Sequence, residues 1–97
     1  MISTEEILQF LSNRKPEIEQ RFGVRRIGLY GSFALGTQTA SSDIDILVEL
    51  EEPSFDDLAG LQLYLEETFE RRVDLRRISE NIRTSFARRV EESALYA

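Results

Sequence analysis

The chain has 97 residues, 41% of them hydrophobic and 31% charged, with two prolines and five glycines, a balance that belongs to one globular domain and excludes a disordered segment or two independent cores. A net charge of −6 excludes a general nucleic-acid binder, which needs a basic face to neutralise phosphates. With no cysteine and no histidine, disulfides, thiolate zinc sites, cysteine nucleophiles and imidazole bases are excluded too, leaving carboxylates, arginines, hydroxyls and hard metals for any chemistry.

The elements follow in chain order. Ser3-x-x-Glu6 has capping-box form ahead of Ile7, Phe10 and Leu11, which predicts a helix over 4–13. Pro16 predicts a break there and a second short helix over 16–21 ending at Gly23, with Ile18 and Phe22 on one face. In 24–30 (VRRIGLY), Ile27 and Leu29 alternate with Gly28 and Tyr30, a first strand that ends at Gly31. Residues 32–42 read as a brief helix and then a loop.

Residues 43–50 (DIDILVEL) predict a second strand, with Ile44, Ile46 and Val48 on one face and Asp43, Asp45 and Leu47 on the other. Ser54 then caps a helix over 55–69, in which Leu58, Leu61, Leu65 and Phe69 lie at helical spacing. A third strand follows over 72–78, Val73 and Leu75 facing one way and Arg72, Asp74 and Arg76 the other. Ser79 opens a last helix reaching residue 94, with Ile82, Phe86 and Val90 on one stripe. Helices between short strands predict an α/β (α+β) fold, a small mixed sheet of about three strands with helices packed on it. The expected organisation is one domain over 1–97, with a helical segment over 1–22 and a catalytic core over 23–97.

No apolar run approaches the roughly 20 residues of a membrane span, and the first six residues lack the pattern of a secretory signal, so the expectation is a cytoplasmic protein with no membrane contact. Charge is uneven: residues 1–70 hold five basic and fourteen acidic side chains, and residues 71–97 hold seven and four. The basic end is either a solvated helix face or a place for phosphates or an acidic partner.

Two carboxylates separated by one strand residue share a face, their Cα atoms roughly 6.6 Å apart. Asp43 and Asp45 can therefore converge on hard cations, and Mg²⁺ suits them because it takes one or two carboxylates and completes its shell with water and substrate phosphates. Gly31-Ser32 closes the preceding strand in a turn where backbone N–H groups and a hydroxyl can face an anion. Asp74 sits mid-strand between Val73 and Leu75. It either pairs with Arg72 or Arg76, or completes a cluster of three carboxylates if the third strand lies beside the second.

Gly31-Ser32, ten intervening residues, Asp43-Ile44-Asp45 and a later Asp74 resemble the signature of the DNA polymerase β-like nucleotidyltransferase superfamily. Within it, GLYGSFALGTQTASSDIDILVEL at 28–50 and RRVDLRRI at 71–78 are similar to the minimal nucleotidyltransferase (MNT, MntA-like) antitoxins, a similarity that spans about residues 20–97. The resemblance implies an acceptor hydroxyl attacking the α-phosphorus of ATP, with two Mg²⁺ ions held by Asp43, Asp45 and Asp74 as catalytic and metal-binding residues. Gly31 and Ser32 would hold the nucleotide, and Asp74 would help to take the acceptor's proton. The implied partner is a HEPN-domain ribonuclease toxin, adenylylated on a tyrosine.

One departure stands out: Leu35 occupies a position where many such relatives carry arginine, and Thr37 one where they often carry an acid. Arg72, Arg76 and Arg83 are candidates to replace the missing cation. Two other functions compete, a non-catalytic module that neutralises its partner by contact and transfer to a small molecule. Leu95 and Tyr96 are apolar residues for a homodimer or for the partner.

Overall fold

The computed structural model describes residues 2–52, 54–78 and 85–97. Its first helix, α1 (Thr4–Phe22), starts in the expected capping box: the Glu6 N–H donates to Ser3 Oγ (3.1 Å), and the Ser3 N–H donates to Glu6 Oε1 (3.3 Å). The expected break at Pro16 does not occur, and one helix runs straight through the proline. An interior proline costs about 3 kcal/mol through its missing N–H and its clash with the preceding turn. Ile18 and Phe22, however, extend the buried stripe of Ile7 and Leu11, and each buried side chain of that size returns roughly 1.5–3 kcal/mol. Burial outweighs the local penalty. Gly23, left-handed at φ 66°, then stops the helix by donating its N–H to the Glu19 carbonyl (2.9 Å).

The remaining elements are β1 (Val24–Tyr30), α2 (Gly31–Leu35), β2 (Ile44–Leu50), α3 (Phe55–Phe69), β3 (Val73–Arg77), α4 (Ser85–Ser93) and β4 (Leu95–Tyr96). Ser54 caps α3 as expected, its Oγ accepting the Asp57 N–H at 3.2 Å. The expected start of the last helix at Ser79, with Ile82, lies outside the described residues.

The strands form one mixed sheet in the order β3-β2-β1-β4, in which β2 runs parallel to β3 and β1 is antiparallel to both β2 and β4. A fourth strand therefore joins the expected three. It consists of Leu95 and Tyr96, which pair with Leu29 and Gly28; two residues are too few to show a period in the sequence. A Cβ at Gly28 would meet the Tyr96 ring at 2.9 Å and the Leu95 carbonyl at 3.2 Å, so a larger residue there would have to push β4 or its ring aside.

Alternation along the strands splits the sheet into two faces. Ile27 and Leu29 of β1, Ile44, Ile46 and Val48 of β2 and Val73 of β3 are buried with Ile7, Leu11 and Ile18 of α1 and Leu61 and Leu65 of α3 in one core. The opposite face carries three rows set by the register: Arg26 with Glu49, Gly28 with Leu47 and Arg76, and Tyr30 with Asp45 and Asp74.

Candidate active site

The third row is the candidate site. Asp45 lies on the inner strand β2, paired with Tyr30 on one side and with Asp74 on the other, and directly paired residues of neighbouring strands point to the same face. The parallel pairing of β2 with β3 thus brings together two carboxylates 29 positions apart in sequence. Gly31 closes the corner. The Asp45 carboxylate occupies the place a Gly31 side chain would take, so that an added Cβ would collide with Asp45 Oδ2 and lie 3.0 Å from its Cγ. Gly31 is also left-handed, at φ 69°, and both facts reserve the position for glycine.

Electrostatics mark Asp45 as the strained member. Burial first, then the charges of Asp74 and Asp43, hold its carboxyl above the ordinary aspartate pKa, with Arg76 opposing. Two acids kept side by side in this way favour a shared proton or a cation. Arg76 answers the charge only in part: its Nε lies 3.6 Å from Asp74 Oδ2, and both side chains are about half exposed, so the pair is loose. Of the two alternatives for Asp74, the arginine contact is present, and on the carboxylate side the register pairs it with Asp45 alone, not with three acids in one cluster.

Asp43 stands apart. It is exposed and precedes β2, at the end of a turn tied down by the Thr39 N–H donating to Ser42 Oγ (2.8 Å), the Ser42 N–H donating to the Thr39 carbonyl (3.1 Å) and Arg71 Nη1 donating to the Ser42 carbonyl (2.8 Å). Its charge reaches Asp45 from the rim. Ser32 is half-buried in α2, and its carbonyl accepts the Thr37 N–H at 3.0 Å. Among the described residues no three acidic side chains come together closely enough to hold a metal ion between them. Asp45 and Asp74 nevertheless fit Mg²⁺, which binds through one or two carboxylates and otherwise through water and phosphate oxygens.

Tyr30 was not singled out in the sequence. It is only 7% exposed, its hydroxyl has no hydrogen-bond partner among the described residues, and burial together with the Asp74 charge pushes its pKa up to about 12. Arg76 comes near enough to oppose part of that shift without reaching hydrogen-bond geometry. The signal was present in the alternation of β1, which puts Tyr30 on the face opposite Ile27 and Leu29. Beside the row, an open cleft of about 340 Å³ separates α2 from α4, lined by Tyr30, Gly31, Ala34, Leu35, Arg89, Val90 and Ser93.

A glycine-cornered carboxylate pair on the open face of a small mixed sheet is the arrangement of a nucleotidyl-transferring domain, and the comparisons with known proteins agree. The nucleotidyltransferase domain family matches residues 11–97. The protein adenylyltransferase MntA of Thermococcus cleftensis is 39% identical over 97 residues, covering 99% of this chain and 97% of its own length. Among solved structures, one assigned as a minimal nucleotidyltransferase superposes with a TM-score of 0.70 at 32% identity, covering 91% of this chain and 93% of the other. The MNT antitoxin in complex with the tri-AMPylated HEPN toxin of Shewanella oneidensis has a TM-score of 0.61 at 20% identity, over 92% of this chain and 70% of that one, and shares the fold. The chain belongs to the nucleotidyltransferase family, as a minimal, MntA-like protein adenylyltransferase of the polymerase β-like superfamily.

No helix among the described residues is long and apolar enough to cross a membrane.

Proposed function

We propose that the chain moves AMP from ATP to a hydroxyl of a HEPN-type toxin in the cytoplasm and silences that partner as its antitoxin, with Asp43, Asp45 and Asp74 as the metal-holding acids and Gly31 and Ser32 beside the nucleotide. The observation that carries this reading is the register that pairs Asp45 with Asp74 while Asp45 rests on Gly31. The partner and the transferred group are taken from the Shewanella antitoxin, which holds an AMPylated HEPN toxin.

In the proposed reaction the acceptor oxygen forms a bond to the α-phosphorus, the bond from that phosphorus to the bridging oxygen breaks, and pyrophosphate leaves with the electron pair. Mg²⁺ held by Asp43, Asp45 and Asp74 would neutralise charge on the phosphates and lower the pKa of the attacking hydroxyl. Asp74, half exposed at the outer end of the row, takes the hydroxyl proton and passes it to water. Asp45, held on the inner strand between its neighbours, fixes the reacting phosphate relative to Asp74. Gly31 keeps that corner free of side-chain atoms.

The test combines purified chain, labelled ATP, Mg²⁺ and a HEPN partner, with label on the partner read by gel and mass spectrometry. Transfer that disappears in Asp45→Ala and Asp74→Ala is the expected result. An unlabelled partner that is still neutralised by Asp45→Ala would replace this reading with inhibition by contact.

A further inference from the structure

We infer that Arg89, on α4, is the cation that grips the β- and γ-phosphates of the nucleotide, which run from the Gly31 corner into the cleft between α2 and α4. The inference rests on the transfer reading above and assigns a residue to the same site. Gly31 belongs to both places: it touches the Asp45 carboxylate, and it lines the cleft. A nucleotide whose α-phosphorus sits at the Asp45–Asp74 row has this opening beside it for the rest of its polyphosphate.

That polyphosphate needs positive charge, and the row itself is acidic. Arg76 is already drawn to Asp74 at 3.6 Å. Arg71 is occupied elsewhere, donating to the Ser42 carbonyl and lying over the Phe33 ring at 5.5 Å. Arg89 is the charged residue in the cleft wall, exposed, and without an ion-pair partner among the described residues. Around it stand Ala34, Leu35 and Val90. The side chains of these apolar neighbours carry no acceptor that would compete with a phosphate for the guanidinium. Leu35 is 71% exposed on the opposite wall, where its side chain contributes no charge.

The experiment measures binding of a non-hydrolysable ATP analogue and of AMP by calorimetry in the presence of Mg²⁺, alongside KM and kcat for label transfer to the HEPN partner. Arg89→Gln, at an exposed position, is expected to leave the melting temperature unchanged, to weaken the ATP analogue by about 10- to 100-fold and to raise KM for ATP to match. AMP, which lacks the outer phosphates, should bind both proteins equally. Adding Leu35→Arg to Arg89→Gln should restore most of the affinity, because both positions face the one cleft. Equal affinity of Arg89→Gln and wild type for the analogue, or equal loss of analogue and AMP, overturns the inference. Wild type that labels its partner while Arg89→Gln keeps its KM removes Arg89 alone; wild type that labels nothing removes the transfer reading, and the binding comparison still decides on Arg89.

Discussion

The two faces of the central sheet come from the same strands and follow opposite rules. Toward the helices, Ile27, Leu29, Ile44, Ile46 and Val48 are sealed in an apolar core that gains from every methyl group buried. On the other face, in register with those residues, Tyr30, Asp45 and Asp74 form a row in which a phenol is buried without a hydrogen-bond partner among the described residues and two acids stand side by side. Period-two alternation lets one strand hold the fold with half its side chains and strain it with the rest. The strain is local, concentrated in one row, and a ligand can relieve it.

Substitutions can break this contrast or sharpen it. The largest effect is expected from Asp45→Asn, which should lower transfer to the partner by about 10³-fold, the loss of several kcal/mol of charge stabilisation in the transition state. The same change should raise the melting temperature of the ligand-free protein. The folded pKa of Asp45 lies above its unfolded value, so the native state forfeits stability as pH rises through that folded value, and asparagine cannot ionise. The gap in melting temperature should therefore widen from acid toward neutral pH and shrink when Mg²⁺ is added. A variant that melts earlier than wild type at neutral pH would contradict the account of a strained row.

Ile46, the next residue along β2, should behave in the opposite sense. Ile46→Ala leaves a cavity in the core and is expected to cost about 3 kcal/mol in urea unfolding, with activity falling only as the folded fraction falls. Gly31→Ala combines both faces' penalties. A left-handed alanine costs about 1–2 kcal/mol, and its methyl group must also displace the Asp45 carboxylate, so kcat should drop by far more than the stability loss explains. The smallest effect belongs to Tyr30→Phe, which removes an unpartnered hydroxyl and should stabilise the fold by about 1 kcal/mol. Wild type should lose further ground to this variant as pH rises from 10 toward 12, because the folded tyrosine holds its proton to about 12 while the unfolded one releases it near 10.0.

The sequence made the first of these faces plain and left the second incomplete. Alternation through Ile44, Ile46 and Val48 revealed β2 and put Asp45 on its other side, since strand periodicity is a local property. That Asp74 would lie opposite Asp45 was open, because the order of strands in a sheet depends on helices and loops that no window of residues contains. Pro16 misled for the converse reason: a strong local rule was outweighed by the buried stripe from Ile7 to Phe22, a tertiary effect. The same limit hid the cleft. Arg89 reads as one arginine of a basic stretch until α4 is seen to face α2 across the cleft. Leu95 and Tyr96, read from sequence as exposed apolar residues, are exposed, and their backbone also pairs with β1, which sequence did not indicate.

That last pairing has a consequence for solubility. An open sheet invites a stranger's strand along either margin, and small proteins must blunt both. On one margin, β4 and the backbone N–H of Ala97, which donates to the Ile27 carbonyl at 2.9 Å, occupy the hydrogen-bonding groups β1 would otherwise offer. Beyond their reach stands the exposed Arg25, whose charge discourages an approaching strand. The other margin, β3, carries Asp74, Arg76 and Arg77 along five residues. Charged side chains of β3, Asp74 of the proposed site among them, thus also guard the rim against edge-to-edge polymerisation.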